Sequence, residues 1–101
     1  MGKSVIINKV RKFARRVRGL YPRAQVVLFG SYAKGTAHKD SDIDVAVVVD
    51  RSRRDPLTAS TELFRLRRDI DVRIEPVLLE RIHDESGFLE EILKTGVQVV
   101  N

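Results

Sequence analysis

The chain has 101 residues, which predicts one globular domain over residues 1–101, and 43% of them are hydrophobic, a fraction typical of globular rather than disordered proteins. It contains no cysteine, which excludes disulfides and thiolate metal sites, and no apolar run near the ~20 residues of a membrane span. The formal net charge of +5 favours anionic partners, but charge alone does not predict a nucleic-acid partner and we expect none. The N-terminal segment has no signal-peptide pattern, so we expect a cytoplasmic protein.

The first half of the chain predicts a helix followed by two strands. SVIINKVRKFARRVRGLYP has apolar residues at helical spacing between Lys and Arg, with Ser4 as a suitable N-cap and Pro22 as a stop. The basic face of this helix is either solvated or binds an anion or a partner. AQVVLFG at 24–30 and IDVAVVVD at 43–50 are short, apolar and β-branched, which is typical of strands buried on both faces.

The second half predicts a helix, a strand and a further helix. PLTASTELFRLRRD predicts a helix with Leu57 on its apolar side and Thr58 or Ser60 as its cap. IDVRIEPVLL predicts a strand, because apolar and polar residues alternate from Ile70 onwards. GFLEEILKTG predicts a short helix that ends at Gly96, and VQVV can close the chain as a last strand.

These elements predict an α/β fold of the α+β type, in the order α-β-β-α-β-α with an optional final β. We expect a small mixed sheet of three to four strands flanked by helices. The second and third strands are joined through a helix, which predicts that they run parallel.

Carboxylates mark the start of the second predicted strand. Asp42 and Asp44 are two positions apart and therefore project from the same face. If the third strand runs parallel to the second, its first polar-face residue, Asp71, lies beside them. Three carboxylates at one edge repel one another unless a cation is bound, and hard oxygen ligands select Mg²⁺ or Mn²⁺. Glu75, further along the same face, is the alternative third carboxylate.

The turn after the first strand has the features of a phosphate site. Gly30 lets the backbone approach a ligand closely, and Ser31 opens a helical turn whose free N–H groups face outward. Lys34 either contacts phosphate or is simply exposed, while Ser41 is placed to orient the aspartate turn. Phosphate donors that face a carboxylate-held metal predict a site for a nucleoside triphosphate.

The stretch GSYAKGTAHKDSDID, at 30–44, resembles the signature of the DNA polymerase β-like nucleotidyltransferase superfamily, and in particular its minimal nucleotidyltransferase branch. The family pattern is Gly-Ser, any residue, Ala, Arg or Lys, Gly, a variable stretch, Ser-Asp, an apolar residue and Asp. The resemblance covers essentially the whole chain, because the minimal members share its length and element order. It implies the polymerase β-like nucleotidyltransferase fold.

The resemblance also implies a reaction, in which AMP from ATP is transferred to an acceptor hydroxyl and pyrophosphate leaves. Asp42 and Asp44 would hold both metals, and the third carboxylate, Asp71 or Glu75, would help deprotonate the acceptor. Gly30 and Ser31 would bind the triphosphate tail. Family members of this size are commonly paired with a HEPN-domain toxin, which some of them silence by adding AMP to a tyrosine.

Two functions of different classes therefore stay open. One is a metal-dependent nucleotidyltransferase that acts as an antitoxin by modifying a HEPN partner. The alternative is a binding module, weak or inactive in catalysis, that neutralises this partner by contact. Larger relatives carry a second domain that grips the base and the acceptor, so we expect a partner to supply that surface in a hetero-oligomer, or a second copy to supply it in a homodimer.

Overall fold

The computed structural model describes residues 3–99, with Lys3 described by its backbone alone. The order of the helices and strands confirms the predicted order, and the helical turn predicted after Gly30 is present as a short helix directly after the first strand. The elements in chain order are α1 Lys3–Leu20, β1 Gln25–Phe29, α2 Ser31–Lys34, β2 Ile43–Val49, α3 Pro56–Arg65, β3 Ile74–Glu80, a 3₁₀ turn at Arg81–His83, α4 Phe88–Thr95 and β4 Val97–Val99.

The four strands form one mixed sheet in the spatial order β3-β2-β1-β4. β1 pairs antiparallel with both β2 and β4, whereas β2 and β3 pair in parallel. The parallel pair is connected through α3, as the sequence predicted from the helix between these strands. The predicted class, a small mixed sheet flanked by helices, is therefore confirmed.

Helices pack on both faces of the sheet. On one face α1 places Val10, Phe13 and Val17, all fully buried, against alternate residues of the strands. On the other face Leu89 and Ile92 of α4 pack against the remaining residues of β1 and β2. Because both faces of these two strands are buried, their sequences are apolar almost throughout rather than alternating. No helix within residues 3–99 combines the length and apolar character that crossing a membrane requires.

Both predicted helix caps are wrong. Ser4 lies inside α1, which already includes Lys3. In α3 the cap is Asp55, whose Oδ2 accepts a hydrogen bond from the Thr58 amide at 3.1 Å. Ala59 and Leu63, four positions apart, form the buried side of α3. Leu57 is two positions from Ala59, so it lies on the opposite side and is 76% exposed, contrary to the prediction. Of the predicted last strand VQVV, the final residue, Val100, lies outside the described residues.

The third strand begins at Ile74, later than the alternation from Ile70 predicts. Residues 66–73 form successive turns instead, and Val72 is 76% exposed. One reason is local, because Oδ1 of Asp71 accepts a hydrogen bond from the Arg73 amide at 2.9 Å and so stabilises a turn. Alternating polar and apolar residues fit such turns as well as they fit a strand.

Candidate active site

The candidate site lies at one end of the strands, where β1 ends and where β2 and β3 begin. This end of the sheet is called the edge below. Asp44 is the register partner of Phe29 on β1 and of Glu75 on β3. Gly30 follows β1 directly, and Asp42 comes directly before β2. The antiparallel pairing of β1 and β2 therefore brings the Gly-Ser turn and the two aspartates to one edge.

Gly30 is the point of contact between these two parts of the site. Its backbone has φ 73° and ψ −149°, a conformation that side-chain-bearing residues rarely adopt. A Cβ atom at this position would overlap Oδ2 of Asp44. Glycine is thus required for two independent reasons, the backbone conformation and the close approach of the carboxylate.

The helical turn predicted after Gly30 is present as α2. Its amides at the N-terminal end have no acceptor within the helix, which leaves them available to an anion. Ser31 is half-buried at its start, and Lys34 is exposed at its end. Gly35, in the left-handed conformation with φ 77°, ends the helix after one turn.

Ser41 closes the turn that leads into the aspartates. Its hydroxyl accepts a hydrogen bond from the His38 amide at 2.8 Å, and its own amide donates to the His38 carbonyl at 3.0 Å. Asp42, the next residue, is exposed. Ser41 therefore orders the chain immediately before Asp42, while a contact between Ser41 and a nucleotide stays a prediction.

The carboxylates at this edge repel one another. Burial raises the pKa of Asp44, and the negative charges of Asp42 and Glu75 raise it further. Within residues 3–99, Asp42, Asp44 and Glu75 form no salt bridge with a basic side chain. A cation would relieve this repulsion, which fits the predicted metal.

No three acidic, His or Cys side chains in the described part of the chain are arranged as a preformed metal site. Mg²⁺ commonly binds through one or two carboxylates and completes its shell with substrate phosphates and water. Asp42 and Asp44 supply two carboxylates next to the Gly30–Ser31 turn. The donor set therefore fits a Mg²⁺ or Mn²⁺ ion that is shared with a nucleotide.

Asp71 lies among basic side chains rather than with the other two aspartates. Its Oδ2 forms salt bridges with Lys9 Nζ at 2.8 Å and with Arg73 Nη2 at 2.7 Å. The hydrogen bonds from Arg73 and Lys9 hold the pKa of Asp71 far below its usual value, although burial opposes them. The prediction that Asp71 opens the third strand is wrong, because β3 starts later, and Glu75 is the carboxylate that pairs with Asp44.

The basic partners of Asp71 do not follow from the sequence pattern. Helical spacing places Lys9 on the basic face of α1, and strand alternation would place Arg73 on the polar face of a strand. Lys9 lies 62 positions from Asp71 in the chain, and no local pattern signals a contact of this range. The available signal was the Asp-x-Arg spacing, which also fits a turn closed by its own side chains.

Comparison with known proteins gives matches over nearly the whole chain. A family model described as a nucleotidyltransferase domain matches residues 10–101. A Methanocaldococcus jannaschii protein assigned as a protein adenylyltransferase is 30% identical over an alignment of 100 positions that covers 93% of this chain and 98% of that one. Protein adenylyltransferase MntA of Shewanella oneidensis is 47% identical over 38 residues, 37% of this chain and 27% of MntA.

A solved structure shares the fold. The crystal structure of a Sulfolobus solfataricus protein assigned as a nucleotidyltransferase superposes with a TM-score of 0.70 and covers 95% of this chain and 80% of that chain. At 19% sequence identity this likeness speaks for the fold alone.

Proposed function

This chain belongs to the nucleotidyltransferase domain family, and from that premise we propose that it transfers AMP from ATP to a hydroxyl group of a protein acceptor. One observation carries the proposal, the meeting of the Gly30–Ser31 turn with Asp44 at a single sheet edge. Two relatives that align with 93% and 80% of this chain are named as protein adenylyltransferases, and these names support the donor and the class of acceptor.

Asp42 and Asp44 are the proposed ligands of Mg²⁺ or Mn²⁺. When bound, the ion supplies positive charge beside the triphosphate and the attacking oxygen. The amides at the start of α2 and the hydroxyl of Ser31 would donate hydrogen bonds to the phosphate tail, with Lys34 adding charge. Because Gly30 has no side chain, the Asp44 carboxylate can lie directly against this turn.

Glu75 replaces Asp71 as the proposed third carboxylate. It pairs with Asp44 across β2 and β3, and its charge raises the pKa of Asp44, whereas Asp71 is already neutralised by Lys9 and Arg73. In the proposed reaction the acceptor oxygen bonds to the α-phosphorus of ATP while Glu75 accepts its proton. The bond from the α-phosphorus to the bridging oxygen breaks, and pyrophosphate leaves.

The acceptor we propose is a tyrosine of a HEPN-domain toxin, which the chain would silence as an antitoxin in a hetero-oligomer. The support is the resemblance of residues 30–44 to minimal nucleotidyltransferases and the partial match to MntA. The alternative is neutralisation by contact alone. The cluster of Asp42, Asp44 and Glu75 favours catalytic activity over contact alone. A module that acts by contact alone has no need for three carboxylates that repel one another beside the Gly30–Ser31 turn.

Incubation with labelled ATP, Mg²⁺ and the product of the neighbouring gene, where we expect a HEPN partner to be encoded, tests the proposal. We expect label on the partner, located at a tyrosine by mass spectrometry, and no label with the Asp42→Ala, Asp44→Ala double variant. Asp50→Ala is the matched control, since Asp50 is an exposed carboxylate beyond the other end of β2. Absence of transfer by the wild type, with the toxin still neutralised by the double variant, would leave contact as the mechanism.

A further inference from the structure

Arg73 connects the entrance of β3 to the loop that carries Asp42. Its Nη1 donates hydrogen bonds to the Tyr32 hydroxyl at 3.0 Å and to the carbonyl of Lys39. Tyr32, which is buried, donates in turn to the His38 carbonyl at 3.1 Å. The side chains of Arg73 and Tyr32 thus hold the backbone carbonyls of two successive loop residues, Lys39 and His38.

The backbone of Arg73 holds the same loop on the other side of Asp42. Its carbonyl accepts a hydrogen bond from the Ile43 amide at 2.8 Å. The side chain of Arg73 therefore fixes Lys39, and its main chain fixes Ile43. Asp42 lies between these two attachments, with Ser41 closing the turn just before it.

Asp71 fixes the guanidinium that makes these contacts. Its Oδ1 accepts from Arg73 Nε at 3.0 Å and its Oδ2 from Nη2 at 2.7 Å, a two-point contact that a planar guanidinium can make and an ammonium cannot. Lys9 Nζ of α1 also donates to Oδ2, at 2.8 Å. The side chain of Asp71 is only 8% exposed, so water competes little for these hydrogen bonds.

We propose that Arg73, held in place by Asp71, is a positioning residue that fixes the loop of residues 38–43 so that Asp42 and Asp44 face the Gly30–Ser31 turn. This inference rests on the proposed metal site. It gives Asp71 a function in the site without contact between Asp71 and the metal. It also explains why Asp71, close to the loop of residues 38–43, is neutralised by basic side chains while Asp42 and Asp44 are not.

Loss of Arg73 should weaken metal binding more than it weakens the fold. Residues that orient metal ligands typically contribute about 10-fold to 100-fold in metal affinity. We therefore expect Arg73→Gln and Arg73→Lys to raise the Kd for Mn²⁺ in the presence of a non-hydrolysable ATP analogue by about 10-fold, with lysine failing because it lacks the two-point contact. Electron paramagnetic resonance of free Mn²⁺ measures this without any turnover.

Arg16→Gln is the matched control. Arg16 Nη1 also donates to two backbone carbonyls, those of Leu66 and Arg68, and it too ties one segment of the fold to another. Neither of these hydrogen bonds involves residues 38–43. We expect this variant to lower the free energy of unfolding in urea as Arg73→Gln does, but to leave the Kd for Mn²⁺ unchanged.

Tyr32→Phe removes only the hydroxyl that links Arg73 to His38, and it guards against loss of folding in the Arg73 variants. We expect a smaller rise in the Kd for Mn²⁺, roughly 2-fold to 5-fold, because the two hydrogen bonds of the Tyr32 hydroxyl are lost while Arg73 still holds the Lys39 carbonyl. Hydrogen exchange of the amides at 40–43 should be faster in Tyr32→Phe and Arg73→Gln than in Arg16→Gln.

Three outcomes separate this inference from the function it rests on. A raised Kd and faster exchange at 40–43 in the Arg73 and Tyr32 variants, with Arg16→Gln unchanged, would support it. Normal Mn²⁺ binding by the wild type and equal binding by the Arg73 variants would overturn this inference alone. Absence of Mn²⁺–nucleotide binding by the wild type would overturn the proposed function, and this inference with it.

Discussion

Two acidic regions lie near the same edge of the sheet, and their electrostatic environments have opposite signs. Asp71 is surrounded by Lys9 and Arg73, whose hydrogen bonds lower its pKa. Asp44 is half-buried beside Asp42 and Glu75, and burial together with these like charges raises its pKa. The first region is neutralised within the fold, whereas the second has no basic side-chain partner among residues 3–99.

We interpret this contrast as one between a structural carboxylate, Asp71, and a proposed metal ligand, Asp44. Removing the charge of Asp71 breaks favourable contacts, so the folded state should lose stability. Removing the charge of Asp44 relieves repulsion, so the metal-free protein should lose no stability although it loses activity. Such a trade between stability and activity is common where a site holds like charges for a ligand.

The largest expected effect follows substitution of Asp44. Asp44→Asn should lower the rate of AMP transfer by at least ~1,000-fold, because a metal ligand stabilises transition-state charge by several kcal/mol. The free energy of unfolding without Mg²⁺ should be equal to or above that of the wild type. Labelled transfer and urea denaturation measure the two quantities. Retention of more than about a tenth of the activity would contradict the assignment, since one lost order of magnitude is only about 1.4 kcal/mol.

Glu75→Gln should have the next largest effect. As the proposed proton acceptor, Glu75 should contribute about 100-fold or more to the rate, with little effect on stability because its side chain is exposed. Asp71→Asn, assayed at saturating Mg²⁺, is the comparison that decides between the two candidates. A larger loss of the maximal rate in Asp71→Asn than in Glu75→Gln would restore Asp71 as the third carboxylate.

Asp71→Asn should instead lower the free energy of unfolding by about 1–3 kcal/mol, as for the loss of charged hydrogen bonds at a largely buried site. The pKa of Asp71 is lower in the folded than in the unfolded chain, so its stabilising contribution is complete above the unfolded pKa of about 4. It is lost as the pH falls below that value. The difference in stability between wild type and Asp71→Asn should therefore be constant from about pH 5 to pH 7 and should shrink in acid.

The smallest effect belongs to an exposed ion pair. Arg54 and Glu62 form a salt bridge at 3.2 Å, but the Arg54 side chain is 39% exposed. Glu62→Gln should change the free energy of unfolding by less than about 1 kcal/mol, and 0.5 M NaCl should remove most of that difference. If its effect equalled that of Asp71→Asn, burial would not be what distinguishes these two ion pairs.

The sequence was sufficient to predict the first two strands and the residues at their shared edge. Unbroken apolar runs on either side of residues 30–44 have few other interpretations, and the Gly-Ser and Asp-x-Asp elements lie within one connection. The overlap of a Cβ at Gly30 with Asp44 could not be predicted, because it depends on how β1 and β2 are registered.

Two of the errors have different physical causes. Asp71 does not open a strand, because its side chain closes a turn with the Arg73 amide and its other partner, Lys9, is remote in the chain. Leu57 is exposed because it lies two positions from Ala59, which places it on the opposite side of α3. The first error depends on contacts that periodicity does not encode, whereas the helical period itself separates Leu57 from the buried side of α3.

The central claim, that Asp42 and Asp44 hold a metal ion beside the Gly30–Ser31 turn, is tested most directly by measuring metal binding. Mn²⁺ is titrated, in the presence of a non-hydrolysable ATP analogue, into the wild type, Asp44→Asn and the control Asp50→Asn. We predict that Asp44→Asn raises the Kd for Mn²⁺ by at least about 10-fold and that Asp50→Asn leaves it unchanged. Equal Mn²⁺ affinity in the wild type and Asp44→Asn would contradict the assignment of this edge as the metal and nucleotide site.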